Sequence, residues 1–196
     1  CRQNTNPAAG DYYFYFSVND AYTFQGSKPD VYVIVEYFDA GTSTITLQYD
    51  SSTGTAPDAY YRVGGSMTLT NTNTWKFKTF HLTDAWFGNR QNDGADFRFG
   101  NVGNAFYIDR VRVTTEQPVA PVIAEVTPDP EIIRPNTAYT RQLLLSQGNP
   151  PPSWSVVQAP TDTEVSPAGL VNGWTPGPTE FGSFVFEMEA VNSEGS

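Results

Sequence analysis

The 196-residue chain carries one cysteine, Cys1, one histidine, His81, and two methionines. A lone cysteine excludes an intrachain disulfide and a thiolate metal cluster, and a lone histidine excludes a metal site built from several imidazoles. A Ser-His-Asp arrangement would have to be assembled on His81, which sits in a strand-like Phe-His-Leu context, and no Gly-x-Ser-x-Gly elbow occurs. Charge is scarce: 16% of residues are charged, and eleven Lys and Arg against twenty-one Asp and Glu give a net charge of −10. A phosphate backbone is held by clustered Lys and Arg that displace its counterions, so nucleic acid is not an expected partner. An anionic membrane surface is disfavoured for the same reason. No apolar run approaches the roughly 20 residues of a membrane-spanning helix, so no transmembrane segment is expected. Helical periodicity is absent from every window of a dozen residues; at most, residues 83–87 form one helical turn capped by Thr83 or Asp84.

What is abundant is aromatic, at 14% of residues, together with Thr, Ser, Asn and Gly. This mixture suits extracellular all-β proteins, whose strands favour aromatic and β-branched side chains and whose turns need Gly, Asn and Asp. Residues 12–18 alternate, with Tyr12, Phe14, Phe16 and Val18 on one face and Tyr13, Tyr15 and Ser17 on the other. Residues 31–38 are apolar on both faces, as in a covered central strand. Alternation returns over 44–50, where Ile45, Leu47 and Tyr49 share a face, and the Asp39-Ala-Gly41 turn between these two segments predicts a hairpin. Further strands are expected at 66–71, 75–82, 95–99 and 105–114. Lys76 and Lys78 are expected on the solvated side of their strand.

Composition changes near residue 115. Residues 1–116 hold nine Lys and Arg against twelve Asp and Glu, whereas 117–196 hold two against nine. Proline recurs through Glu116-Gln-Pro-Val-Ala-Pro121 and Pro128-Asp-Pro130, which reads as a stiff extended connector. Beyond it strands are expected at 122–127, 138–145, 153–157, 170–174 and 182–191, spaced as in a small immunoglobulin-like sandwich. The expected organisation is a β-sandwich over 1–115, a Pro-rich linker over 116–121 and a second sandwich over 122–196.

Pro151-Pro-Ser-Trp-Ser-Val-Val157, Gly169-Leu-Val-Asn-Gly-Trp-Thr-Pro176 and the run from Gly182 to Gly195 resemble the immunoglobulin-like repeat of bacterial surface proteins and glycanases. That resemblance implies a closing strand after Gly195. More loosely, Tyr13-Phe-Tyr-Phe-Ser-Val-Asn-Asp20, Val33 to Asp39, Leu47-Gln-Tyr-Asp50, Trp75 to Arg90, Gly94 to Arg98 and Tyr107 to Val113 resemble the galactose-binding-like jelly rolls attached to bacterial carbohydrate-active enzymes. Such domains open with one or two strands before the equivalent of this run. Together the resemblances imply an all-β fold of two tandem β-sandwiches, jelly-roll-like then Ig-like, from a secreted, modular protein. Cys1 leaves two readings, a lipidated lipoprotein residue or the incidental first residue of a fragment.

A sugar offers C–H patches to aromatic faces and hydroxyls to amides, carboxylates and guanidinium groups. Trp86 with Asn89, Arg90, Gln91, Asn92 and Asp93 meets that description within eight residues, and Tyr60 and Tyr61 form a second candidate, since one of two neighbours on a strand points outward. Each has a plainer reading, Trp86 and Phe87 as a core plug and Tyr60 and Tyr61 as ordinary surface tyrosines. Asp93, Asp96 and Asp109, with Asp39 and Asp50 at strand ends, carry the hard oxygens a structural Ca²⁺ would take, although no Asp-x-Asp-x-Asp-Gly loop specifies a site. No other cofactor is expected. Asp96 and Arg98 share a face if their segment is a strand, and ion pairing among Arg98, Arg110 and Asp109 competes with metal binding. Glu187 and Glu189 share a strand face, and Glu36 stands on the central strand, but no cleft for paired-carboxylate hydrolysis is evident, so an enzyme is not expected. The favoured expectation is a non-catalytic module that binds a polysaccharide or other glycan, with an Ig-like spacer, at an extracellular or cell-surface location. The competing one is a structural subunit of an adhesin, stalk or filament that self-associates, or packs on neighbouring domains, through open sheet edges and exposed aromatics.

Overall fold

The computed structural model describes residues 1–4, 13–100, 105–129 and 131–196. The chain divides into two compact units, Cys1–Gln117 and Pro118–Ser196. Both are all-β, and every strand pair is antiparallel. Among the described residues helical structure is limited to two short 3-10 turns, Asp58–Tyr61 and Asn92–Gly94. The helical turn expected over 83–87 does not form; Ala85 instead makes a β-bridge with Ser51. Among the described residues no helix is long and apolar enough to cross a membrane.

The first unit contains β1 (Arg2–Gln3), β2 (Tyr13–Phe16), β3 (Val31–Phe38), β4 (Thr44–Tyr49), β5 (Arg62–Thr68), β6 (Trp75–Leu82), β7 (Phe97–Gly100) and β8 (Tyr107–Thr114). They form two four-stranded sheets, ordered β1-β8-β3-β6 and β2-β7-β4-β5. First pairs with last, second with seventh, third with sixth and fourth with fifth, while β8 and β7 close onto β3 and β4. This is a long antiparallel ribbon wrapped on itself, the jelly-roll form of the β-sandwich. Tyr12, the expected start of β2, lies outside the described residues.

Alternation explains the two layers. Val31, Val33, Val35 and Tyr37 point inward from β3, Ile45, Leu47 and Tyr49 from β4, Phe80 and Leu82 from β6, and Phe97 and Phe99 from β7. Phe14 and Phe16 of β2 pack against the same core, where Phe16 stacks on Phe97 at 5.1 Å. Tyr13 and Tyr15 take the other face.

The Asp39-Ala-Gly41 turn does not close a hairpin. Both edges of β3 are taken, by β6 and β8, so the chain crosses at Asp39 to the opposite sheet and β4 pairs with β5 and β7. The corner is pinned by Asp39 itself, which is fully buried. Its carboxylate accepts bonds from the Thr70 amide and hydroxyl, both at 2.6 Å, the Thr72 hydroxyl at 2.6 Å and the Lys76 ammonium at 2.6 Å. Lys76 is therefore not on a solvated strand face but reaches inward to this carboxylate; Lys78 lies over the Phe80 ring at 5.9 Å.

The second unit contains β9 (Val119–Ile123), β10 (Arg141–Gln142), β11 (Leu145–Asn149), β12 (Ser153–Gln158), β13 (Glu164–Val165), β14 (Leu170–Asn172) and β15 (Glu187–Val191). These make three small sheets, β10-β14-β13, β11-β9 and β12-β15. The connector expected over 116–121 is strand from Val119 onward. The strand expected over 182–191 begins only at Glu187; ahead of it Phe184 and Phe186 turn onto Trp174, at 4.8 and 5.5 Å, beside Tyr139. Glu187 and Glu189 are exposed on β15, opposite Gln158 and Ser155.

Burial opposes ionisation of Asp39, but the Lys76 ammonium and the Thr70 and Thr72 donors outweigh it and hold the carboxyl well below the usual carboxylate range. A depressed folded pKa contributes stability above the unfolded value of about 4 and loses it as pH falls below that. Thermal unfolding from pH 7 to pH 2 should show the wild type losing melting temperature below pH 4, with Asp39→Asn starting lower and declining less steeply.

Candidate functional site

The loop after β6 enters the end of the sandwich rather than lying on its surface. Phe87 is fully buried, and Trp86 is half-buried, its ring wedged against the backbones of Gly26 and Gly88. A Cβ at Gly26 would come within 3.0 Å of that ring and one at Gly88 within 2.7 Å, so both glycines are needed for the close approach. Against this loop packs the fully buried carboxylate of Asp50. It accepts bonds from Arg90 Nε at 2.8 Å, Arg90 Nη2 at 2.5 Å and the Gly88 amide at 2.8 Å. Arg90 also donates to the Ser51 carbonyl at 2.7 Å and lies over the Tyr60 and Trp86 rings at 4.5 and 5.5 Å. Arg90 thus spends donors on neutralising a buried charge, with the Tyr60 and Trp86 rings against its guanidinium.

Asn89 is held by its amide on Asp96 and its side chain on Asp20, and Gln91 is buried, donating to the Gln48 and Tyr60 carbonyls. Burial pushes the Asp96 carboxyl up, and the Asp50 and Asp20 charges add to that, against the Val18 and Asn89 amides that donate to it. Asp93 is exposed in a left-handed turn, and Asp109 lies on β8, where the Cys1 amino group meets it at 2.8 Å. Asp93, Asp96 and Asp109 therefore do not converge, and Asp39 and Asp50 each already face a cation. Among the described residues no three His, Cys, Asp or Glu side chains are placed to hold a metal ion. His81 stacks on Tyr32 at 4.3 Å and meets Asp30 at 2.7 Å, and Glu36 faces Arg110 at 3.9 Å.

A different group of side chains converges on the outer face of the β2-β7-β4-β5 sheet. Register sets Tyr15 opposite Arg98 and Arg98 opposite Gln48, with Tyr13, Gly100 and Thr46 one rung away. The Arg98 guanidinium lies 3.9 Å from the Tyr13 ring centre and 4.3 Å from that of Tyr61. It donates from Nε to Gln48 Oε1 at 2.8 Å and from Nη1 to the Tyr15 hydroxyl at 3.1 Å. Asn92 completes the ring, donating to the Tyr15 hydroxyl at 3.2 Å and accepting from the Tyr61 hydroxyl at 2.7 Å. Gly100 lies directly under Tyr13, where a Cβ would collide with the ring. A shallow hollow of about 420 Å³ adjoins, lined by Gln48, Tyr61, Asp58, Arg62 and Val63 among others.

Of the residues expected to bind a ligand, Tyr61 and Asn92 belong to this platform; Trp86, Arg90 and Tyr60 are half-buried around Asp50, and Asn89 is exposed, bonded to Asp96 and Asp20. Tyr13, Tyr15, Gln48 and Arg98 were not expected. Their one sequence signal was alternation, Tyr13 and Tyr15 opposite Phe14 and Phe16, and Arg98 between Phe97 and Phe99. The first unit is thus an all-β jelly-roll sandwich with a tyrosine, arginine and amide platform on one sheet. Comparison with known protein families, curated proteins and solved structures finds no match to this chain.

Removing Arg90 would leave the Asp50 carboxylate buried without its cation, a change that costs about 3 kcal/mol or more. Urea denaturation of Arg90→Met should show a loss of that size. An unchanged midpoint would mean that this pair does not hold the loop.

Proposed function

We propose that the first unit is a non-catalytic carbohydrate-binding module and the second an Ig-like spacer, both parts of a larger extracellular or cell-surface protein. The observation that carries this reading is the outer-face platform of Tyr13, Tyr15, Tyr61, Arg98, Gln48 and Asn92. Rings present C–H-binding faces, and the amides and guanidinium beside them present hydrogen-bond donors and acceptors already fixed by one another, which lowers the ordering cost of binding. A strand-borne platform is open along its length, as a polymer requires, and weak single contacts gain strength through multivalency in a parent protein. The Asp50 and Arg90 pair supports the platform by fixing the loop that leads to Asn92.

A second reading, a structural subunit that assembles through its sheets, draws on the opposite face. Trp75 and Phe77 stand 43% and 41% exposed on β6, an edge strand, with Phe38 against Trp75 and Tyr107 against Phe38. Exposed aromatics on an unpaired edge favour addition of another chain.

Affinity gel electrophoresis against a panel of polysaccharides separates these. Tyr61→Ala and Tyr13→Ala should each weaken retardation about threefold to tenfold, the value of one aromatic contact, while Trp86→Ala lowers the melting temperature and leaves retardation in place. Concentration-dependent assembly without retardation by any glycan, abolished by Trp75→Ser, would favour the structural reading instead.

A further inference from the structure

We infer that the ligand of the Arg98 platform is an acidic polysaccharide, recognised through the carboxylate of a uronic acid unit. This rests on the reading of that face as a glycan site and adds its chemical class. A guanidinium has five N–H donors. In Arg98 one is spent on Gln48 and one on Tyr15, and the remaining donors on Nη1 and Nη2 have no acceptor among the described residues. No carboxylate among those residues lies within ion-pair distance of it, whereas Arg62, Arg90, Arg110 and Arg141 each face one.

The geometry suits a planar anion. The Tyr13 and Tyr61 rings lie against the guanidinium and the Gln48 and Tyr15 bonds fix its rotation, so the free edge is presented in one orientation. A carboxylate accepts two parallel N–H bonds from such an edge, and charge-assisted bonds of this kind are roughly twice as strong as neutral ones. A neutral sugar has only hydroxyls to offer there, and Gln48 and Asn92 alone would serve it. Thr46 and Ser66, side by side on β4 and β5, continue the floor one rung away, beside the Tyr13 ring that covers Gly100.

The net charge of −10 opposes a polyanion at long range. The test is therefore run at about 0.15 M salt, where the screening length of roughly 8 Å removes distant repulsion and leaves contact pairing. Polygalacturonate and alginate are compared with the same polymers after carboxyl reduction, with neutral galactan and xylan, and with sulfated carrageenan. The expected result is retardation by a uronate polymer that disappears on carboxyl reduction and weakens about tenfold in Arg98→Gln, the value of one charge-assisted contact. The carboxyl-reduction arm needs no variant and stands even if Arg98→Gln unfolds. Equal retardation by neutral or carboxyl-reduced polymers would overturn the acidic class while leaving a glycan site. Equal retardation by carrageenan would overturn recognition of a carboxylate in particular. Retardation by nothing in the panel would overturn both this inference and the glycan reading.

Discussion

The register of β7 between β2 and β4 is the constraint on which the first unit depends. Phe97 and Phe99 are buried almost completely, and each such ring contributes about 1.5–3 kcal/mol on leaving water. Because strand side chains alternate, burying these two rings compels Arg98 to the outer face. A slip of one residue would exchange them, placing a guanidinium in an apolar core and two phenyl rings in water. The same pairing sets Tyr15 and Gln48 on either side of Arg98, so the energetics of the core and the composition of the platform are one fact seen from two faces.

The loop that closes the end of the sandwich follows a second rule, that a carboxylate taken out of water must be paired and hydrogen-bonded. Asp50 meets it with Arg90 and the Gly88 amide. The guanidinium that satisfies that charge lies against the Tyr60 and Trp86 rings, so part of a segment with the composition of a sugar site also pairs a buried carboxylate. The chain that leaves this cluster carries Asn92 back to Tyr15 and Tyr61. Asp39 does the equivalent work at another corner, where Lys76 and the threonines of the loop before β6 hold the crossing between sheets.

What was legible in the sequence was what is local. Alternation over Phe14 to Phe16 and Ile45 to Tyr49 assigned faces that match the core, and the absence of helical periodicity foretold an all-β chain. What was not legible depended on partners far along the chain. A turn at Asp39 to Gly41 reads as a hairpin until the edges of β3 are known to be occupied by β6 and β8. Trp86 reads equally as a sugar-stacking ring or a core plug until Gly26 is known to lie against it, and Arg98 reads as an ion-pair partner until the ladder sets it beside residues 48 and 15. The platform draws on five separate elements, and no short motif announces it.

The central claim is that the outer face of the β2-β7-β4-β5 sheet is where this protein meets its ligand. The most direct measurement is amide and aromatic chemical-shift mapping by NMR during titration with an oligosaccharide from a polymer that retards the protein. The account predicts perturbations concentrated at Tyr13, Tyr15, Gln48, Tyr61, Asn92 and Arg98, with Trp75, Phe77 and Tyr107 unmoved. Perturbations centred on the β6 face, or on Trp86 with the platform silent, would contradict it.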